Sequence, residues 1–202
     1  MSNLRNIVMV LLCAFSIFSS ASCNPLHEAI EQNKPWKEII QLLGSPKNPS
    51  THYRETKYGG NPLHTACWIG RTYIAYKLVK FFGEAIVCET DYHGNTPLHI
   101  AAYRSAKIPD QSHKIMQLLC KYHADLWAVN DKGYMPIHIT AFRGAYKCTR
   151  YLLLKDPLLL YAGTKGRKAW TPSRCAGTLG RRNTLKPLFQ EYAKIIRELS
   201  SL

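Results

Sequence analysis

One short phrase returns along this chain and limits what it can fold into. It reads NPLHEAI at 24–30, NPLHTAC at 61–67, TPLHIAA at 96–102 and MPIHITA at 135–141, with a worn copy, TPSRCAG, at 171–177. Its prolines, Pro25, Pro62, Pro97, Pro136 and Pro172, stand 37, 35, 39 and 36 residues apart. A near-constant period of this size means similar units in series. A unit of this length does not bury its apolar face alone, so stability must come from stacking on neighbours, with polar caps at the ends.

After each phrase comes a segment with apolar residues at three- and four-residue spacing: WKEIIQLL, TYIAYKLVKFF, SHKIMQLLCKY, AYKCTRYLLL and LKPLFQEYAKIIRELSSL. That spacing predicts helices with one buried stripe. A helix start is also predicted at each proline, where the missing N–H costs nothing and a preceding Thr hydroxyl can take a free backbone N–H.

A period slightly above ~33 with a T-P-L-H-x-A core resembles the ankyrin repeat, a turn followed by two antiparallel helices. The resemblance covers essentially everything after residue 23, and its best copy is DYHGNTPLHIAAYRS at 91–105. It implies an all-α ankyrin-repeat solenoid of about five helix-turn-helix repeats with short turn or hairpin tips, at approximately 24–55, 56–90, 91–129, 130–165 and 166–202. Gly59, Gly94 and Gly133 fall at the family's tight turn, and Gly70, Gly144 and Gly180 at the end of its first helix. RSAKIPDQS, between Tyr103 and His113, is expected to lengthen the loop between the helices of the third repeat, and GSPKNPSTHY at 44–53 reads as a turn. Ser173 and Arg174 replace Leu-His in the last repeat and put its turn packing in doubt.

Residues 1–22 have the order of a secretory signal peptide: Arg5, an apolar run from Ile7 to Phe18, then Ser20-Ala21-Ser22. The run is twelve residues, short of the ~20 a spanning helix needs. Two cutting rules compete. The small residues suit an ordinary signal peptidase, while a small triplet followed by Cys23 resembles the lipobox of bacterial lipoproteins, with Ser20 where Leu is usual. The chain is expected to be exported, periplasmic or secreted, with outer-membrane anchoring through a lipidated Cys23 as the variant.

The formal net charge of +14 predicts anionic partners. Five cysteines follow Cys23 with no C-x-x-C pair, which argues against a zinc knuckle. Cys67, Cys120 and Cys148 align with apolar repeat positions; Cys88, read as a loop residue, and Cys175 are the expected sites of oxidation. His27, His64, His99 and His138 share one repeat position. The resemblance implies that this histidine ties its own turn to the next repeat through backbone hydrogen bonds, one nitrogen per layer, so no metal ladder is expected. No nucleophile, base and oxyanion donor assemble from any motif, and neither an enzyme nor a cofactor is expected.

In ankyrin arrays partners meet the turn tips and the exposed side of the first helices. The tip positions are Lys57, Tyr58 and Gly60; Tyr92, His93 and Asn95; Asp131, Lys132 and Tyr134; and Arg167, Lys168 and Trp170. The first-helix positions are Trp68 and Ile69, Tyr103 and Arg104, and Phe142 and Arg143. Tyr, Trp and Arg are the usual hot-spot types. Trp68 and Phe142 fit either partner contact or packing on a neighbouring repeat, whereas Arg104 and Arg143 are expected at the surface. From Pro157 to Gln190 the chain has no acid and carries Lys165, Arg167, Lys168, Arg174, Arg181, Arg182 and Lys186. That stretch fits a solvated end cap, or docking on an acidic protein face or an anionic headgroup; nucleic acid suits an exported chain least. The expectation is a monomeric, non-enzymatic module that binds a protein partner with an acidic surface, the alternative being a peripheral module on an anionic membrane.

Overall fold

Each repeated proline opens a helix. The computed structural model describes residues 24–45, 48–49, 58–165, 169–177 and 182–200; at 45, 48, 49, 182 and 183 it describes the backbone alone. The proline-led helices are α1 (Pro25–Glu31), α3 (Pro62–Ile69), α6 (Pro97–Arg104), α8 (Pro136–Arg143) and α10 (Pro172–Gly177). Each is followed by a second helix: α2 (Trp36–Leu43), α4 (Thr72–Phe82), α7 (Pro109–Lys121), α9 (Tyr146–Lys155) and α11 (Arg182–Leu199). The first helices pack on one another in chain order, and α4, α7, α9 and α11 do the same beside them. The result is two helical layers, the solenoid expected from the period.

The core lies between the layers. Leu26, Leu63, Leu98 and Ile137, one residue after each proline, are buried, as are Ile39, Leu78, Leu119 and Leu152 from the second helices. Burying each such side chain contributes about 1.5–3 kcal/mol, and most of that area is covered by the adjacent repeat.

Histidines lock one layer to the next. Nδ1 of His64, His99 and His138 accepts the backbone N–H of Asn61, Thr96 and Met135, each at 3.2 Å. With Nδ1 accepting, Nε2 carries the proton and donates to the carbonyls of Asn95 (2.8 Å) and Tyr134 (3.0 Å) in the following repeat and of Ala162 (2.9 Å) at the end of its own. His27 departs from this pattern, its Nδ1 bonding the hydroxyl of Thr65. The helix start needs no hydroxyl: Asn24 and Asn61 cap α1 and α3 through their side chains, and Met135 stands at the start of α8. Thr96 stands at the start of α6 with its hydroxyl 2.9 Å from His99 Nδ1.

The insertion in the third repeat is handled differently from the expectation. Gly70 and Gly144 end α3 and α8 in left-handed geometry, at φ 89 and 68. Ser105 holds that place in the third repeat and stays right-handed, at φ −56. With no left-handed stop the chain runs on through residues 105–108, and Pro109 then opens α7. The connection between the helices thus grows from two residues, at 70–71 and 144–145, to four, and α7 is two to three residues longer than α4 and α9, so the insertion is shared between the loop and the second helix.

Three smaller elements lie outside the two layers. Gly44–Ser45 (β1) and Asn48–Pro49 (β2) form a two-residue antiparallel ladder, Gly44 opposite Pro49, where a plain turn was expected. Ala85–Cys88 (α5) is a short helix, so Cys88 ends a helix rather than lying in a loop. Pro157–Tyr161 is a 3₁₀ helix, and in α11 Pro187 removes one intrahelical bond.

Candidate recognition surface

Short hairpins build the tips. Asp91 N–H donates to Asn95 O at 2.9 Å and Asn130 N–H to Tyr134 O at 3.0 Å, while Asp91 Oδ1 takes the N–H groups of His93 and Asn95. Tip also joins tip: Tyr92 N–H to Tyr58 O (2.8 Å), Asp131 N–H to His93 O (3.0 Å) and Lys165 N–H to Gly133 O (2.9 Å). Four repeats therefore present a continuous edge. Gly133 is required there, at φ 80 with an added Cβ falling 2.4 Å from Lys165 O.

On that edge Tyr58, Tyr92, His93, Asp131 and Lys132 are exposed, and the Tyr58 and His93 rings lie 6.4 Å apart. Tyr134 and Trp170 are half-buried. Asn95 is a correction. It is buried, donating to Asp91 Oδ2 and receiving Asn130 Nδ2–H at 2.8 Å, so it spaces the tips and offers no partner contact. Gly60 is likewise buried. Lys57, Arg167 and Lys168 lie outside the described residues.

The first-helix residues form a second row. Arg104 lays its guanidinium over the Trp68 ring of the preceding repeat, 4.6 Å from the centroid, and Arg143 lies over Tyr103 at 5.8 Å. Trp68 remains half exposed and Phe142 is exposed, so neither ring is buried against a neighbouring repeat. The arginines differ from expectation: both are half-buried, and their Nε atoms are inaccessible, with no hydrogen-bond partner among the described residues. The physical cause is the repeat offset, which sets each guanidinium against the previous ring and offsets its desolvation by cation–π attraction. Ile69 is half-buried. Burial pushes the phenol pKa of Tyr103 up.

In the last repeat Arg174 is exposed with its guanidinium 5.2 Å from the Trp170 centroid, and Lys165 and Lys186 are exposed. Arg181, the side chain of Arg182, Cys23 and residues 1–22 lie outside the described residues.

Burial lowers the pKa of His99 and of His138, so both are neutral ladder groups. Burial raises the Cys67 thiol far above its usual range, Cys148 to about 12, and Cys120 and Cys175 to about 11. Cys175 is buried, which corrects its expected oxidation; Cys88 is exposed. Among the described residues no group of three His, Cys, Asp or Glu could hold a metal ion, and no helix is long and apolar enough to cross a membrane.

The family model for ankyrin repeats, three copies, matches residues 26–130. This chain belongs to the ankyrin-repeat family. It is 34% identical over 137 residues to the human transient receptor potential cation channel subfamily A member 1, covering 67% of this chain and 11% of that protein. It is 35% identical over 97 residues to the mouse ankyrin and armadillo repeat-containing protein, covering 48% of this chain and 6% of that protein. It is 24% identical over 145 residues to the target of rapamycin complex 2 subunit AVO2 of Saccharomyces cerevisiae, covering 72% and 31%. The chain thus spans a third or less of each of these relatives. Ankyrin repeats generally mediate protein–protein interaction as non-enzymatic scaffolds. The family match ends at residue 130, and the last two helix pairs extend the array beyond it.

Proposed function

We propose that this chain is an exported, non-enzymatic module that holds a protein partner with an acidic surface against its tips and the exposed side of its first helices. The observation that carries this reading is the pair of stacked arginines, Arg104 on Trp68 and Arg143 on Tyr103. A guanidinium held over a ring has little rotamer freedom left to lose on binding, and its planar fork of N–H groups suits a carboxylate. Trp, Tyr and Arg are also the residue types that dominate interface energetics.

The test is a variant with alanine at Tyr103, Arg104, Phe142 and Arg143. Partners captured by the parent chain and identified by mass spectrometry should be lost by this variant, and the purified partner should then bind the parent directly. Unchanged capture with unchanged circular dichroism removes this surface. Export rests on Arg5, the apolar run to Phe18 and the small residues before Cys23. Mass spectrometry of the mature N-terminus separates cleavage from Cys23 acylation, and a mature protein that still starts at Met1 refutes both.

A further inference from the structure

The positive charge of this protein is concentrated on the outer layer of helices, away from the face just described. Helix α4 carries Lys77 and Lys80 and no acid, and α9 carries Lys147, Arg150 and Lys155 and no acid. Helix α7 adds Lys114 and Lys121 against Asp110, and α11 adds Lys186, Lys194 and Arg197 against Glu191 and Glu198. All of these cations are exposed except Lys77, which is half-buried. Two of the three acids are engaged locally, Asp110 with Lys147 at 2.8 Å and Glu198 with Lys194 at 3.7 Å. On the inner layer α3, α6, α8 and α10 together carry only Arg104, Arg143 and Arg174.

Amphipathic side chains stand among these cations. On α4 Tyr73 and Tyr76 share the outward stripe with Lys77 and Lys80, and on α9 Tyr146 and Leu154 share it with Lys147 and Arg150. Tyr73 is 61% and Leu154 57% exposed. Because α4, α7, α9 and α11 pack side by side, the stripes combine into one broad face.

We propose that this outer face docks on an anionic lipid bilayer. Each Lys or Arg near such a surface contributes attraction, while protruding Tyr and Leu side chains enter the headgroup boundary. The composition separates a bilayer from a nucleic acid. Eight of the ten cations named are lysines, compact point charges rather than the planar forks that grip a phosphodiester, and a solvent-exposed Leu154 has nothing to read there. The sequence expectation placed anionic-surface binding in the last repeat because the cations there are contiguous. The outer-face cations escape that view, since they come from four repeats and are spread along their helices. The inference does not depend on the protein-partner reading, since the two use opposite layers.

The test is sedimentation of the full chain with vesicles of phosphatidylcholine, with and without phosphatidylserine. Retention is expected only with phosphatidylserine and should fall steeply with salt. A variant with serine at Lys80, Lys114 and Arg150, exposed residues that leave the core intact, should lose roughly a hundredfold in partitioning. Serine at Tyr76 and Leu154 should weaken retention without changing its salt slope. The alanine variant at Tyr103, Arg104, Phe142 and Arg143 should bind vesicles as the parent does, which keeps failure here distinct from failure of the partner reading. Any of three results overturns the proposal: no retention on phosphatidylserine, full retention by the Lys80/Lys114/Arg150 variant, or tighter binding to duplex DNA than to vesicles. Loss caused instead by serine at Lys165 and Arg174 would place the contact on the last repeat, against this assignment.

Discussion

Replacing His99 with leucine tests what holds the repeats in register. The ring is buried and serves two repeats, Nδ1 taking the Thr96 N–H at 3.2 Å and Nε2 donating to Tyr134 O at 3.0 Å. Leucine restores most of the apolar contact but strands both backbone groups, at about 1–3 kcal/mol each. After about 1 kcal/mol regained from the extra apolar area, the expected net loss is about 1–5 kcal/mol. At ~2–4 °C per kcal/mol for a chain of this size, the thermal midpoint should drop by roughly 2–20 °C. The pH dependence gives a second, independent reading. Burial lowers the folded pKa of His99, so below the unfolded value near 6.5 the unfolded chain takes up the proton first. Stability is therefore full above that value and is lost as pH falls through the folded pKa. Thermal melts from neutral pH downward should show the parent losing stability and the leucine variant losing less. A variant that melts with the parent at neutral pH, or keeps the whole acid slope, refutes the shared-histidine argument.

Other perturbations probe different parts of the molecule. Gly133→Ala sets a Cβ 2.4 Å from Lys165 O in left-handed backbone and should cost about 2 kcal/mol or more in urea unfolding; a neutral result would mean the tips are not stitched as described. Asn130→Ala removes the acceptor of the Lys132 and Tyr134 N–H groups and the donor to Asn95, and should destabilise by about 1–3 kcal/mol; a loss under ~0.5 kcal/mol would deny the tip network a structural role. In the folded protein a maleimide should label Cys88 quickly and Cys67, Cys148 and Cys175 only after denaturation; fast native labelling of Cys175 would contradict its burial.

Much of the fold was readable before any coordinates. The prolines mark the five first helices, TYIAYKLVKFF and WKEIIQLL coincide with α4 and α2, and Leu26, Leu63, Leu98 and Ile137, each just after its proline, lie in the core. These features are local: a proline without an N–H, an apolar stripe, a glycine that stops a helix. The third repeat misled for a related reason. RSAKIPDQS contains Pro and Ser and reads as loop; residues 105–108 do form the connection, but Pro109 is well placed to open the next helix and takes the rest of the stretch into α7. The candidate surface was legible in part. Its aromatic and arginine positions were named from the repeat register, but Asn95 was taken for a contact residue because its bond to Asn130 joins two tips 35 positions apart.

The repeat period, the helix starts, the buried leucines and the histidine at each third helical position follow from the sequence alone, because each depends on neighbours within a few residues or on the period itself. Only the tertiary structure decided that Arg104 rests on Trp68 and Arg143 on Tyr103, that Asn95 is enclosed, and that lysines scattered over four repeats share one face. The physical reason is that stacking is a long-range packing problem. The offset and rotation between successive repeats are set by how their cores interdigitate, and those two quantities choose which side chains meet across each boundary.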